Sequence, residues 1–200
     1  MNYLTIAKSE LILGGQKSGK SRRAEMLARQ WLDAGSGRRA VLIATAQPWD
    51  DEMRQRIARH QADRAERVPH MTTVEEPLAL AEAISQHSYP DTLVVVDCLT
   101  LWLTNLMMPA KSTEISNFKS KQAEAQVKPA WVAPLLIAIQ SAAGPIVLVG
   151  NEIGLGVIPM GRDVRAFVDA LGRLNQDVAA TCQRVTLMAA GLPLTLKDTP

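Results

Sequence analysis

The sequence predicts an α/β fold: a mostly parallel sheet flanked by helices, with an antiparallel hairpin at the C-terminal end. Three features carry that expectation. Apolar runs without polar alternation, such as Leu93-Val94-Val95-Val96, read as strands buried on both faces. Segments of helical spacing separate these runs, and strands alternating with helices build parallel sheets. Val185-Thr186-Leu187-Met188-Ala189 and Leu192-Pro193-Leu194-Thr195-Leu196 then close the chain as paired strands around Gly191.

Taken in order, Leu11-Ile12-Leu13 is the first strand and residues 22–30 are the first helix. Between them lies Gly14-Gly15-Gln16-Lys17-Ser18-Gly19-Lys20-Ser21, a match to G-x-x-x-x-G-K-[ST] in the strand–turn–helix context that gives this pattern its meaning. The glycines let backbone N–H groups turn inward around oxyanions, and the helix N-terminus adds partial positive charge. Lys20 is expected to reach the β- and γ-phosphates and the Ser21 hydroxyl to ligate Mg²⁺. The fold class is therefore a P-loop NTPase with a RecA-like sheet, and residues 1–200 read as one nucleotide-binding domain.

Residues 40–44 form the second strand, which ends at Thr45-Ala46-Gln47-Pro48. A helix follows over 50–67, opened by Asp50, Asp51 and Glu52 where the macrodipole favours negative charge. On it Met53 and Ile57 face inward, and Arg54, Arg59 and Asp63 face solvent. Residues 71–74 read as a short strand, 76–85 as a helix, 93–97 as a buried strand and 99–108 as a helix. Residues 109–129 are polar and lysine-rich, the character of a mobile surface insertion. Beyond them come a helix over 131–141, a buried strand over 145–149 and a long helix over 161–181.

Hydrophobic residues at 47% and charged residues at 21% describe an ordinary globular chain, and 200 residues bury a substantial core. A net charge of +2 gives no drive towards bulk nucleic acid or acidic membrane. Cys98 and Cys182 form no C-x-x-C pair, so neither a disulfide framework nor a zinc site is expected, and each reads as a small buried side chain. Residues 92–110 enclose Asp97 and Asn105, and residues 131–150 are broken by Gly144-Pro145, so neither apolar stretch reads as a membrane span. Residues 1–10 lack the continuous apolar core of a signal peptide, and a cytoplasmic location is expected.

In parallel sheets, ligands sit beyond the carboxyl ends of the strands. Loops 14–21, 45–47, 97–100 and 151–156 therefore share one rim, where the active site is expected. Asp97 ends an apolar strand, as the acidic residue that helps hold Mg²⁺ does in phosphate-loop enzymes, though capping of the following helix would explain it too. His60 lies one turn beyond Arg56, and spacing alone does not separate it from an ordinary helical histidine.

Several blocks together resemble one family. They are Gly14-Gly15 with Ser18-Gly19-Lys20-Ser21-Arg22, Ile43-Ala44-Thr45-Ala46-Gln47, Asp51-Glu52-Met53 with Arg56-Ile57 and His60, and Thr73-Val74-Glu75-Glu76-Pro77. Asp97-Cys98-Leu99-Thr100-Leu101-Trp102-Leu103-Thr104-Asn105-Leu106 and Asn151-Glu152 with Gly154, Gly156 and Pro159 follow, then Arg165, Gly172 and Asn175-Gln176. In this order they resemble the bifunctional adenosylcobinamide kinase/adenosylcobinamide-phosphate guanylyltransferases. Only the region around 109–130 has no counterpart motif.

The resemblance implies two steps of cobalamin biosynthesis. ATP or GTP phosphorylates the aminopropanol hydroxyl of adenosylcobinamide; GTP then transfers GMP to that phosphate, giving adenosylcobinamide-GDP and pyrophosphate. It implies a GMP–histidine intermediate at His60, with Lys20 and Mg²⁺ (held by Ser21 and Asp97) supporting catalysis. It places Gly14, Gly15, Gln16, Lys17, Ser18, Gly19, Lys20, Ser21, Thr45, Ala46, Gln47, Gln61, Ala62, Asp63, Arg64, Glu75 and Asp97 at the nucleotide. It also implies a homotrimer. For Ala46, packing alone is an alternative; for Glu75, helix capping before Pro77 is; and Gly154 and Gly156 either line the corrinoid side or only permit a tight turn.

The runner-up function is a P-loop small-molecule kinase without the covalent step, in which His60 is dispensable. An ATP-driven nucleic-acid switch would want a basic stripe with stacking aromatics. Here aromatics total 4%, and Trp31, Trp49, Trp102 and Trp131 are scattered, so no nucleic-acid partner is expected.

Overall fold

The computed structural model describes residues 5–108 and 130–199. The stretch 109–129, read above as a mobile insertion, lies outside the described residues. Along the chain come β1 (Ser9–Gly14), α1 (Lys20–Asp33), β2 (Arg39–Ala44), α2 (Asp51–Arg67), β3 (Met71–Glu75), α3 (Leu80–His87) and β4 (Thr92–Asp97). They are followed by α4 (Leu99–Met107), α5 (Val132–Ser141), β5 (Ile146–Val149), α6 (Arg162–Thr181), β6 (Arg184–Ala189) and β7 (Leu192–Asp198).

The strands form one seven-stranded sheet in the order β3-β2-β4-β5-β1-β6-β7. All neighbours are parallel except β6 and β7, the antiparallel hairpin expected around Gly191. The apolar runs of β1, β4 and β5 are buried along nearly their whole length, as strands with helices on both sides must be. Alternate side chains then serve two cores. Leu11, Val94, Val96 and Leu148 meet α3, α4, α5 and α6 on one face. Ile12, Leu93, Val95 and Val147 meet Ala24, Leu27 and Ala28 of α1, with Val68 at the end of α2, on the other.

Most of α2 stands clear of this second core. Met53 and Ile57 are only half-buried, and Arg64 is the one buried residue of the helix. Its start is well fixed, because the Asp50 carboxylate accepts from the Met53 amide at 2.7 Å. Expectation and structure part at α3, which begins at Leu80 rather than at residue 76. Pro77 restricts the residue before it, and the Glu76 carboxylate accepts from the amides of Leu78 (2.9 Å) and Ala79 (2.8 Å), so residues 76–79 close as a turn. No described helix is long and apolar enough to cross a membrane.

Candidate active site

The phosphate loop leaves β1 at Gly14, whose φ of 151° suits glycine. A Cβ there would lie 2.4 Å from the Met188 carbonyl oxygen and 2.6 Å from Ser18 Oγ, so only glycine fits. Gly19, at φ 101°, is the N-cap of α1 and makes no side-chain cap. No acidic residue occupies the first turn of α1 either, which leaves its positive end unneutralised and suited to an anion. Neighbouring loops grip this turn from both sides. The Glu152 amide donates to the Gly14 carbonyl at 3.1 Å, and the Gly191 amide of the β6–β7 turn donates to the Ser18 carbonyl at 3.0 Å.

Lys20 is buried, with Nζ donating to the Gly15 carbonyl at 2.6 Å. Burial holds its ammonium below the usual lysine value, Cys98 and Asp97 act in the opposite direction, and the Arg56 guanidinium lowers it further. Lys20, Asp97 and Arg56 therefore share one electrostatic neighbourhood, although they come from α1, β4 and α2. Gly15, Gln16 and Lys17 are exposed, Ser18 is buried and Ser21 is half-buried at the start of α1.

Asp97 ends β4 in register with Ala44 and Val149, half-buried at the middle of the rim. The cap of α4 is Cys98, whose Sγ accepts from the Leu101 amide at 3.5 Å, so capping is not the task of Asp97. Thr45 is fully buried, and its polar atoms are all engaged. Its amide donates to the Asp97 carbonyl (3.1 Å) and its hydroxyl donates to the Cys98 carbonyl (2.7 Å). That hydroxyl also accepts from the Cys98 amide (2.9 Å), and the Thr45 carbonyl accepts from Asn105 Nδ2 (2.8 Å). Ala46 and Gln47, the next two residues, are half-buried on the rim. Glu75 ends β3 exposed; the turn after it is capped by Glu76, which removes capping as its explanation.

His60 is exposed on α2. Helical spacing puts Arg56, His60, Asp63 and Arg67 on one face. Arg67, on that face, donates to Glu25 of α1 at 2.7 Å, so His60 shares the face by which α2 is tied to α1. Arg64 is buried and donates to Thr73 Oγ1 of β3 at 3.3 Å, Asp63 pairs with Arg67 at 3.4 Å, and Gln61 and Ala62 are exposed. Among the described residues, no hydrogen bond or ion pair joins His60 to the phosphate loop. The rim loops are stitched together; α2 is attached through its C-terminal third.

A model of the family described as cobinamide kinase / cobinamide phosphate guanyltransferase matches residues 10–196. The chain belongs to this family. A bifunctional adenosylcobalamin biosynthesis protein, CobP, of Pseudomonas aeruginosa is 45% identical over 191 residues, covering 96% of this chain and 98% of that one. The corresponding protein of Escherichia coli, CobU, is 36% identical over 187 residues, covering 94% and 98%. Solved structures agree on the fold alone. The flagellar accessory protein FlaH of Methanocaldococcus jannaschii superposes with a TM-score of 0.50 at 10% identity, covering 97% of this chain and 80% of that one. A Pyrococcus horikoshii protein gives 0.51 at 9% identity, covering 98% and 90%.

Within this member of the cobinamide kinase family, the structure adds residues to which sequence reasoning gave no role. Arg56 is one. Asn105 and Trp102 of α4 are others: Asn105 Nδ2 donates to Pro77 (3.1 Å) as well as to Thr45, and Trp102 Nε1 donates to Leu78 (2.8 Å). Thr100 Oγ1 accepts from the Asn151 amide at 2.8 Å, and Asn175 of α6 donates to the Asn151 carbonyl at 3.1 Å. One signal for Asn105 was present, since an amide in an otherwise apolar helix must find partners when buried. Which carbonyls it meets depends on segments 28 and 60 residues away.

Proposed function

We propose that this chain phosphorylates the aminopropanol hydroxyl of adenosylcobinamide with ATP or GTP and then transfers GMP from GTP to the phosphate so formed. The observation that carries this reading is the pairing of two devices in a member of this family. One is a phosphate loop with buried Lys20; the other is a helix on which Arg56 and His60 share a face with Arg67, which is bonded to α1.

In the first step the inward amides of residues 14–21 and Lys20 hold the triphosphate and spread the charge of the transferred γ-phosphoryl group. In the second, an imidazole nitrogen of His60 attacks the α-phosphorus of GTP as the bond to the β-phosphate oxygen breaks, and pyrophosphate departs on the phosphate loop. An oxygen of adenosylcobinamide phosphate then attacks the same phosphorus, the P–N bond breaks, and adenosylcobinamide-GDP leaves. Neutral imidazole, not imidazolium, is the nucleophilic form. Ser21 and Asp97 offer a hydroxyl and a carboxylate, the oxygen donors that Mg²⁺ takes alongside phosphates and water. Bound there, the ion would supply charge neutralisation at the leaving phosphate oxygens.

Ala46, Gln47, Gln61, Ala62, Asp63, Arg64 and Glu75, on α2 and at the ends of β2 and β3, are the residues this reading gives to the guanosine. The corrinoid fits on the other side of the loop. There Asn151 and Glu152 lead into residues 153–160, where Leu155, Val157, Ile158 and Met160 are 78–95% exposed and offer an apolar shelf for a large methyl-bearing ring. A trimeric assembly and a cytoplasmic location belong to the same reading. His60→Ala tests it: phosphorylation of adenosylcobinamide should persist, while formation of adenosylcobinamide-GDP and GTP-dependent pyrophosphate release should vanish. A variant that still transfers GMP would contradict the covalent route.

A further inference from the structure

Thr45 and Asn105 are buried polar side chains at the rim; every polar atom of Thr45 is engaged within the protein, and Asn105 Nδ2 serves two backbone carbonyls. The Thr45 hydroxyl spans both backbone polar groups of Cys98, while its own amide holds the Asp97 carbonyl. Together these three bonds lock the chain at the end of β4, at the Asp97 carbonyl and at both polar groups of the next residue. Asn105 takes the remaining Thr45 carbonyl and the Pro77 carbonyl on the same amide nitrogen. Thus α4 suspends the exits of β2 and β3 and, through Trp102 and Thr100, also holds the β3–α3 turn and the exit of β5.

We propose that Thr45 and Asn105 are positioning residues: their side chains fix the backbone at Asp97 and Cys98 and hang the β2 and β3 exit loops from α4, so that the Asp97 carboxylate is held towards Lys20. This rests on the nucleotidyl- and phosphoryl-transfer reading of the rim. It assigns Thr45 a task other than touching nucleotide, and Asn105 a task where none was assigned. A group that acts through another shows itself in kcat rather than in ligand affinity, because misplacing a reacting centre by a fraction of an ångström leaves binding nearly intact and spoils alignment.

The test uses Thr45→Val, which keeps the shape and removes the hydroxyl, beside Thr45→Ser, which restores it. Each is measured alone and combined with Asp97→Asn, with a thermal melt for every variant. Thr45→Val should lower kcat of both steps by about 100-fold and leave the dissociation constant for GTP, read by equilibrium dialysis, unchanged. Thr45→Ser should recover most of the rate. On the Asp97→Asn background, Thr45→Val should cost no further rate beyond about twofold. Weakened GTP binding with kcat preserved would overturn the proposal and return Thr45 to the nucleotide. So would equal impairment of the serine variant, or full additivity with Asp97→Asn. If Thr45→Val does not fold, Thr45→Cys, of similar shape and weaker donor strength, takes its place under the same criteria. A parent protein lacking both activities would instead refute the functional reading itself.

Discussion

Lys20 has left water for the base of the phosphate loop, where its Nζ donates to the Gly15 carbonyl. Cys98 and Asp97 oppose the cost of that burial and Arg56 adds to it. The two thiols are inert by contrast. Burial pushes both Cys98 and Cys182 up to about 12, so neither carries thiolate near neutral pH. The native protein should show no rapid thiol reaction with a disulfide reagent at pH 8, and the denatured protein should show two; fast labelling of the native protein would mean that one of these sites opens. Residue types in short patterns were legible at this scale: Lys20 and Ser21 stand out by motif, whereas His60 is singled out only through the family resemblance. The partner of Thr45 was not legible, because Cys98 is 53 positions away and only the sheet order makes β2 and β4 neighbours.

Helix α2 carries the nucleophile of the proposed second step on an element that the core barely holds. Val68 and the buried Arg64 anchor its end, Arg67 pairs with Glu25, and Arg29 donates to the Arg67 carbonyl at 3.3 Å. Glu25 is 7% exposed and would keep a buried charge if Arg67 were removed. With Arg67 itself 44% exposed and partly screened, Arg67→Ala should cost about 1–3 kcal/mol in urea unfolding. Hydrogen exchange should quicken in α2 before α1, and GMP transfer should slow more than phosphorylation, since only the former needs His60. Equal slowing of both steps would contradict this division of labour. The helix was recognisable from Asp50, its acidic first turn and the spacing of Met53 and Ile57. The start of α3 was not, because Glu76 and Pro77 look helical in composition yet form a turn once the Glu76 carboxylate takes two amides.

Across the whole molecule, the sheet brings the exits of β1, β2, β4 and β5 to one rim, and a buried charge cluster ties α1 to it from behind. Glu10 of β1 is 1% exposed; its Oε1 accepts from Arg23 of α1 (3.0 Å) and Thr186 of β6 (2.8 Å). Its Oε2 has no hydrogen bond and lies 3.7 Å from Arg184. Removing one partner of such a buried carboxylate leaves an uncompensated charge, so Arg23→Met should cost about 3 kcal/mol in denaturant unfolding. Adding Glu10→Leu should recover much of that loss, and no recovery would mean that Arg23 acts through packing rather than charge. The architecture was legible because its strands are uninterrupted apolar runs, whereas this cluster joins residues 10, 23, 184 and 186, which no local pattern associates. The central claim is the covalent one: a nucleophile on α2 serving a phosphate loop on β1. Its most direct test incubates the protein with Mg²⁺ and GTP labelled at the α-phosphate, denatures it, and compares the parent with His60→Ala. Acid-labile, base-stable label on the parent and none on the variant is the predicted result; an active, folded parent that takes up no label would contradict it.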